Sequence, residues 1–415
     1  MKPRARTLFS ILGQVLLALA VFLLVLEAGV RIFRPQSLLM KGKESFFPGD
    51  PDLQFAMRPS ARTELGRRDF QIHVKTNALG FRDEERGPRG AALRVLSLGD
   101  SFTFGWGVER GQTFQAAMER AQDTAAAARG ERRIEVINAG VPGYNLYQYL
   151  LALEKKGWRV DPDVVLVGLF VQNDLAENTS TRDWLVRKKK GLVKKDEKAG
   201  LEGWLGKHSQ GYVWLRVKYK SSYRLQRTWY KLTRRFTKQE EVVKYRNLLV
   251  YRKPVPPDME AEWKLSEEIL LGMRDAVRAR GKRLLVVLFP SELQAVRAEW
   301  DKAVRDEKMS PDTFDLEAAN RRLAGFCDQQ GIAVLDLLPD IRKATDAGEV
   351  LYLPSDHHWN ARGHALAASL ILEDLRGLGW LSPPHALAAL PRPIPGASPT
   401  APQAAPRPST PRISP

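Results

Sequence analysis

A serine hydroxyl becomes a useful nucleophile when a histidine accepts its proton and a carboxylate orients that histidine. This chain carries the three groups far apart: Gly99-Asp100-Ser101-Phe102-Thr103, and much later Leu353-Pro354-Ser355-Asp356-His357-His358-Trp359-Asn360. Six histidines occur in all, and two of them stand beside Asp356. Two histidines and an aspartate are also zinc ligands. No helical His-x-x-x-His or other ligand set accompanies them, so no metal and no cofactor is expected. Two further stretches lie between, Asn138-Ala139-Gly140-Val141-Pro142-Gly143-Tyr144-Asn145 and Val171-Gln172-Asn173-Asp174. The Gly143 N–H and the Asn173 amide are donors suited to a developing oxyanion, where one donor contributes about 3 kcal/mol in acyl transfer. Each stretch alone has a plainer reading. Gly-Asp-Ser is common in turns, Gly143 suits a turn, and Asn-Asp suits a helix cap. Asp100 is expected to hold the serine loop, and Cys327 reads as the buried side of a helix.

Joint placement makes the four stretches informative. Arg94–Leu98, Ile134–Asn138, Asp163–Phe170, Arg283–Phe289 and Ile332–Leu337 read as apolar strands. Helical patterns over Gln112–Ala128, Asn145–Gly157, Met259–Arg280, Thr313–Gln330 and Ala361–Gly377 separate or follow them. Continuous apolar strands alternating with helices predict an α/β fold: a doubly wound, five-stranded parallel sheet in three layers. Ligands in such folds bind beyond the carboxyl ends of the strands. That edge is where Ser101, Gly143, Asn173 and the Asp356/His358 pair are expected.

The order Ser, Gly, Asn, Asp/His resembles the SGNH (GDSL-type) hydrolase superfamily, over about residues 93–380. The stretch Asn77-Ala78-Leu79-Gly80-Phe81-Arg82-Asp83 also looks like bacterial members. The resemblance implies a flavodoxin-like sheet and an esterase or acyltransferase with Ser101 as nucleophile and Asp356 and His358 as its partners. It further implies an oxyanion hole of the Ser101 N–H, Gly143 and Asn173. Two departures stand out. Val171 replaces the usual glycine of Gly-x-Asn-Asp and is expected to narrow the site or shift the backbone near Asn173. The spacing Asp356-x-His358 is shorter than the usual Asp-x-x-His, and looks like SGNH-like proteins of alginate and related polysaccharide O-acetylation. His358 is favoured as the acting histidine, with His357 pointing away.

Residues Leu8 to Leu26 form an apolar run of 19 behind Lys2, Arg4 and Arg6. At ~1.5 Å per residue it spans the bilayer's apolar thickness. Without a good cleavage site it reads as an uncleaved signal anchor within residues 1–35, placing the rest outside a bacterial cell membrane. Residues 36–92 read as a small β-rich decoration and 93–380 as the main domain. Residues 381–415 read as a disordered tail, with 11 prolines from Ser382 to Pro415.

The net charge is +17, and 20 Lys/Arg against six Asp/Glu lie between Arg182 and Arg246. This basic insertion, about 178–256, interleaves aromatics such as Tyr212, Trp214 and Trp229. An exported chain seldom meets nucleic acid, so anionic lipid or an acidic glycan is the expected contact, beside the plainer reading of a solvated basic lid. The substrate expected is an acylated envelope glycan. A lipid ester at the membrane, or a non-catalytic scaffold in polysaccharide assembly, are the alternatives.

Overall fold

The computed structural model describes residues 3–33, 46–67, 69–176, 178–189, 205, 208–221, 246–307 and 309–383. Most of the basic insertion and nearly all of the proline-rich tail lie outside these residues.

Helix α1, Pro3–Phe33, contains a stretch long and apolar enough to cross a membrane, Gly13–Phe33. Two short antiparallel pairs follow. Gly49–Asp50 (β1) pairs with Gln54–Phe55 (β2), and Arg62–Gly66 (β3) with Gln71–Lys75 (β4). In β4 exposed and buried residues alternate, and Ile72 and Val74 face inward. They belong to the same apolar cluster as Leu96 and Leu98 of the main sheet.

The main sheet has five parallel strands: Leu93–Gly99 (β5), Ile134–Asn138 (β6), Val164–Phe170 (β7), Arg283–Phe289 (β8) and Ala333–Asp336 (β9). Their spatial order is β6-β5-β7-β8-β9. Strand β7 reads Val-Val-Leu-Val-Gly-Leu-Phe and is buried along nearly its whole length. A parallel strand covered on both faces requires such a run. Helices Leu146–Lys155 and Pro257–Arg278 pack on one face, and Phe114–Arg129 and Ala361–Gly377 on the other, each face closing its own apolar cluster. The expected three-layer, doubly wound sheet is the observed one.

Element ends differ in instructive places. The helix expected from Thr313 starts at Ala318. Phe314 instead bridges Arg252, and the Asp315 N–H donates to the Tyr251 carbonyl, which holds the segment extended. A helix at Leu338–Asp346 had no forecast.

The strand order reverses direction between β5 and β7. Crossovers leave that point toward opposite edges, and this opens a crevice at the carboxyl ends. The serine and Asn173 loops both emerge there.

Candidate active site

Strand β5 ends at Gly99 because nothing larger fits. A Cβ there would lie 1.9 Å from Thr103 Oγ1 and 2.8 Å from the Gly168 carbonyl oxygen. The chain then turns into a single helical turn, Ser101–Phe104. The Asp100 carboxylate caps it, accepting the Phe102 N–H at 2.8 Å. Gly105, at φ 84°, ends it. Phe102, Thr103 and Phe104 are buried, which leaves Ser101 partly open at the first position.

Arg82 grips the far end of this turn. The residue is 1% exposed. It donates to the carbonyls of Phe104 at 2.8 Å, Gly105 at 2.7 Å and Val108 at 2.7 Å. Burial lowers it to about 10. This gives physical content to the Asn77–Asp83 stretch: it delivers a buried cation to the carbonyl end of the serine turn. Nothing in the local sequence of that stretch marks Arg82 for this task, because its three carbonyl partners lie 22 to 26 positions away.

The late loop is folded by its own backbone. The Leu353 N–H donates to the His358 carbonyl and the His357 N–H to the Leu353 carbonyl. Asn360 caps the last helix by accepting from the Arg362 and Gly363 N–H groups. This geometry brings His358 Nε2 to 2.7 Å from Ser101 Oγ. On the other side of the ring, Nδ1 lies 2.6 Å from Asp356 Oδ1. His357 turns away, at φ 64°, and its Nδ1 meets the Glu292 carboxylate. The hydrogen bond to Glu292, against burial, raises the His357 imidazole above its usual range.

Two carboxyl groups flank the Ser101–His358 contact in opposite electrostatic states. Burial pushes Asp100 up to about 6, against the Phe102 N–H, the His358 charge and Ser101. Asp100 Oδ2 lies 3.3 Å from Ser101 Oγ. Asp356 meets burial too. The hydrogen bond and charge of His358, the Arg67 charge and a hydrogen bond from Trp106 outweigh it and hold the carboxyl below its usual range.

Gly143 occupies the third place of the turn Val141-Pro142-Gly143-Tyr144, at φ 86°, with the Tyr144 N–H donating to the Val141 carbonyl. Proline followed by a left-handed glycine is a type II turn. The Val141 N–H donates to the Gly99 carbonyl, which ties this loop to the end of the serine strand. Asn173 follows β7, and its N–H donates to the Phe170 carbonyl. Its side-chain oxygen is buried without a hydrogen-bond partner among the described residues. Of the two effects expected of Val171, a side chain narrowing the site is not what the structure has. It is fully buried within the apolar cluster, so its side chain enters the core and not the crevice.

Cys327 is buried, and burial pushes its thiol up to about 12, as suits an inert core residue. Among the described residues no group of three or more His, Cys, Asp or Glu is arranged to hold a metal.

A five-stranded parallel sheet with a serine–histidine–aspartate chain of hydrogen bonds at its carboxyl edge fits the resemblance read from the sequence. Residues 252–389 match the family model described as SGNH hydrolase-like domain, acetyltransferase AlgX. The matched segment includes the Asp356–His358 loop, and the serine turn precedes it. The family model thus agrees with the resemblance read from the sequence over that segment of the chain. Solved structures similar to it include the acetyl xylan esterase AlAXEase, 14% identical over 68% of this chain and 98% of that one, at a TM-score of 0.36. TesA is 12% identical over 69% and 99%, at 0.35. An acetyl xylan esterase variant from Geobacillus stearothermophilus is 14% identical over 69% and 95%, at 0.37. Likeness at this level says nothing about substrate. No curated protein matches the chain by sequence.

Proposed function

We propose that the chain is a membrane-anchored serine esterase or acetyltransferase acting on an acylated envelope glycan through an acyl-enzyme on Ser101. The observation that supports this most is the unbroken relay Ser101 Oγ–His358 Nε2 and His358 Nδ1–Asp356 Oδ1, at 2.7 and 2.6 Å, at the carboxyl edge of the sheet.

In the proposed reaction His358 Nε2 takes the Ser101 proton as Oγ attacks the ester carbonyl. Asp356 keeps the imidazole oriented and stabilises its cationic form. The Ser101 N–H, the Gly143 N–H and the Asn173 amide stabilise the tetrahedral oxyanion. Collapse breaks the ester C–O bond, and the departing alkoxide takes the proton from His358. Water or a sugar hydroxyl then attacks the acyl-serine, gives its proton to His358, and Ser101 leaves with that proton. All of these steps use side chains and backbone groups of this chain, without a cofactor.

The location belongs to the same proposal: α1 as a single-pass anchor, with the domain on the periplasmic or extracellular side. Contacts of the basic insertion with α1 favour membrane proximity. Glu27 accepts the Ser209 hydroxyl at 2.7 Å and the N–H groups of Gln210 and Gly211 at 3.0 and 2.8 Å. Trp214 lines an apolar groove with Phe22, Leu26 and Val30. An aromatic and basic segment at this height suits anionic headgroups, and keeps a lipid ester in play as the second substrate.

The test is release of acetate from an aryl acetate and from an acetylated glycan, set against fatty-acid release from lipid, by wild type and Ser101→Ala. Turnover by wild type and none by the variant is expected. A variant as active as wild type would sink the mechanism, and an inert wild type that a serine-directed fluorophosphonate also fails to label would favour a scaffold.

A further inference from the structure

The serine turn touches a second loop of the site, and one buried side chain joins the two. Asn138 is the last residue of β6 and is 3% exposed. Its Nδ2 donates to the Phe104 carbonyl at 3.1 Å, and its Oδ1 accepts the Gly140 N–H at 3.1 Å. Phe104 ends the serine turn, and Gly140 begins the loop that carries Gly143. The two partners are a carbonyl and an N–H, so the amide satisfies both in one orientation only. Leucine has neither group, and an ionised aspartate has no donor.

The two backbones approach closely. A Cβ at Gly140 would lie 2.3 Å from the Phe104 nitrogen and 2.7 Å from the Thr103 carbonyl carbon. Strands β5 and β6 are held in register by the sheet as far as the pair Ser97 and Asn138. Beyond that pair, the Ala139 and Val141 N–H groups donate to Ser97 and Gly99, which precede the serine. The Asn138 side chain reaches the other end, after the serine. There the Phe104 carbonyl, at the end of a helical turn where backbone partners run out, accepts from Arg82 at 2.8 Å and from Asn138.

We infer that Asn138 is a positioning residue for the proposed acyl transfer, setting the Gly143 loop against the serine turn so that the oxyanion donors converge on one point. The inference rests on the reading of Ser101 as nucleophile and of Gly143 as an oxyanion donor. Those donors belong to separate chain segments: one N–H is on the turn, the other on the loop. Each is useful only within about 2.7–3.1 Å of the oxygen that becomes negative, so the two segments have to be fixed relative to each other. Asn138 bonds to both and touches neither the substrate nor the reacting atoms.

The experiment compares purified full-length wild type with Asn138→Leu and Asn138→Asp. Aryl acetate hydrolysis gives kcat and KM. Inhibition by phenylboronic acid reports the tetrahedral adduct on Ser101, and thermal unfolding reports the fold. Leucine is close to asparagine in size and removes both bonds. Asn138→Leu is expected to lower kcat about 10- to 100-fold, less than the loss of a donor outright. Its KM should stay within about twofold of wild type, because the planar ester makes little use of the oxyanion hole. Affinity for the boronic acid should fall with kcat, since the adduct is tetrahedral. A purely structural side chain would lower the unfolding temperature and leave kcat and boronic acid affinity of the folded protein unchanged. Asn138→Asp keeps the acceptor for Gly140 and loses the donor to Phe104, and it carries the same comparison if the leucine variant does not fold. A folded variant with kcat and boronic acid affinity within about threefold of wild type, or with a loss confined to KM, overturns the inference and leaves the role of Ser101 standing. A wild type that neither turns over nor is labelled by a fluorophosphonate overturns both.

Discussion

The serine turn and the acid–histidine loop meet at the Ser101–His358 hydrogen bond and in the ring contacts of Phe102 with His358 and Trp359, yet they are held in different ways. The serine turn is a product of the core. Every residue from Phe102 to Trp106 is buried, and a buried guanidinium saturates the carbonyls that end the turn. The acid–histidine loop lies near the surface, with Ser355 and His357 exposed. It depends on a backbone bond between Leu353 and His358, and on Asp69 of the β3–β4 hairpin accepting the Ser355 N–H at 2.6 Å. One half of the relay is therefore embedded in the core, and the other is held nearer the surface, by Asp69 of the hairpin and Glu292 of the segment after β8. Perturbing the core should cost stability and activity together, whereas perturbing the loop should cost activity alone.

The largest expected effect is chemical. Ser101→Ala and His358→Ala should each lower kcat by ~10⁴-fold or more without unfolding the protein, because relay members act as a unit. Ester turnover together with thermal unfolding checks this, and two unequal losses would argue against a shared relay.

Arg82→Met breaks the core side of the comparison. It strips donors from three carbonyls and should cost roughly 3 kcal/mol of stability. Denaturant titration gives the number, and activity should fall with it.

Asp100→Asn sharpens the electrostatic contrast between the two carboxyls. Asparagine still caps the serine turn. The Asp100 carboxyl is raised from 3.8 to about 6, so the folded state binds its proton more tightly than the unfolded chain does. The stability it contributes is complete below pH 4 and is lost as pH rises through 6, by ~3 kcal/mol at most. The stability of wild type minus that of Asp100→Asn should therefore decline between pH 4 and 6, and a flat difference would refute the assignment.

The smallest effects belong to the loop's outer face. Asp69→Ala should lower kcat by about fivefold with little change in melting temperature, since it releases one surface contact on the loop. His357→Asn, which tolerates the left-handed backbone, should change kcat by less than about threefold. A large loss on His357→Asn with His358 intact would reassign the acting histidine.

Much of the fold was legible because its signals are local. Val164–Phe170 and Arg283–Phe289 announce buried parallel strands by their unbroken apolar runs. Misreadings occurred where a distant partner overrode a local pattern. Phe314 and Asp315 sit in a helix-like stretch, yet Tyr251 and Arg252 hold them extended. Val171 looked like an intrusion into the crevice, because which side of a loop faces the core is invisible in a linear string.

By itself the sequence determined the residue types of the candidate site, their order, the alternation of strands and helices, and an apolar amino-terminal helix. Those follow from periodicity and composition, which neighbouring residues decide among themselves. Only the tertiary structure decided that His358 and not His357 meets Ser101, that His357 meets Glu292, and that Arg82 holds the serine turn. These depend on sheet order and on loops meeting across up to 257 positions of chain. Long-range contacts of that kind are set by packing the whole domain at once, and no local stretch encodes them.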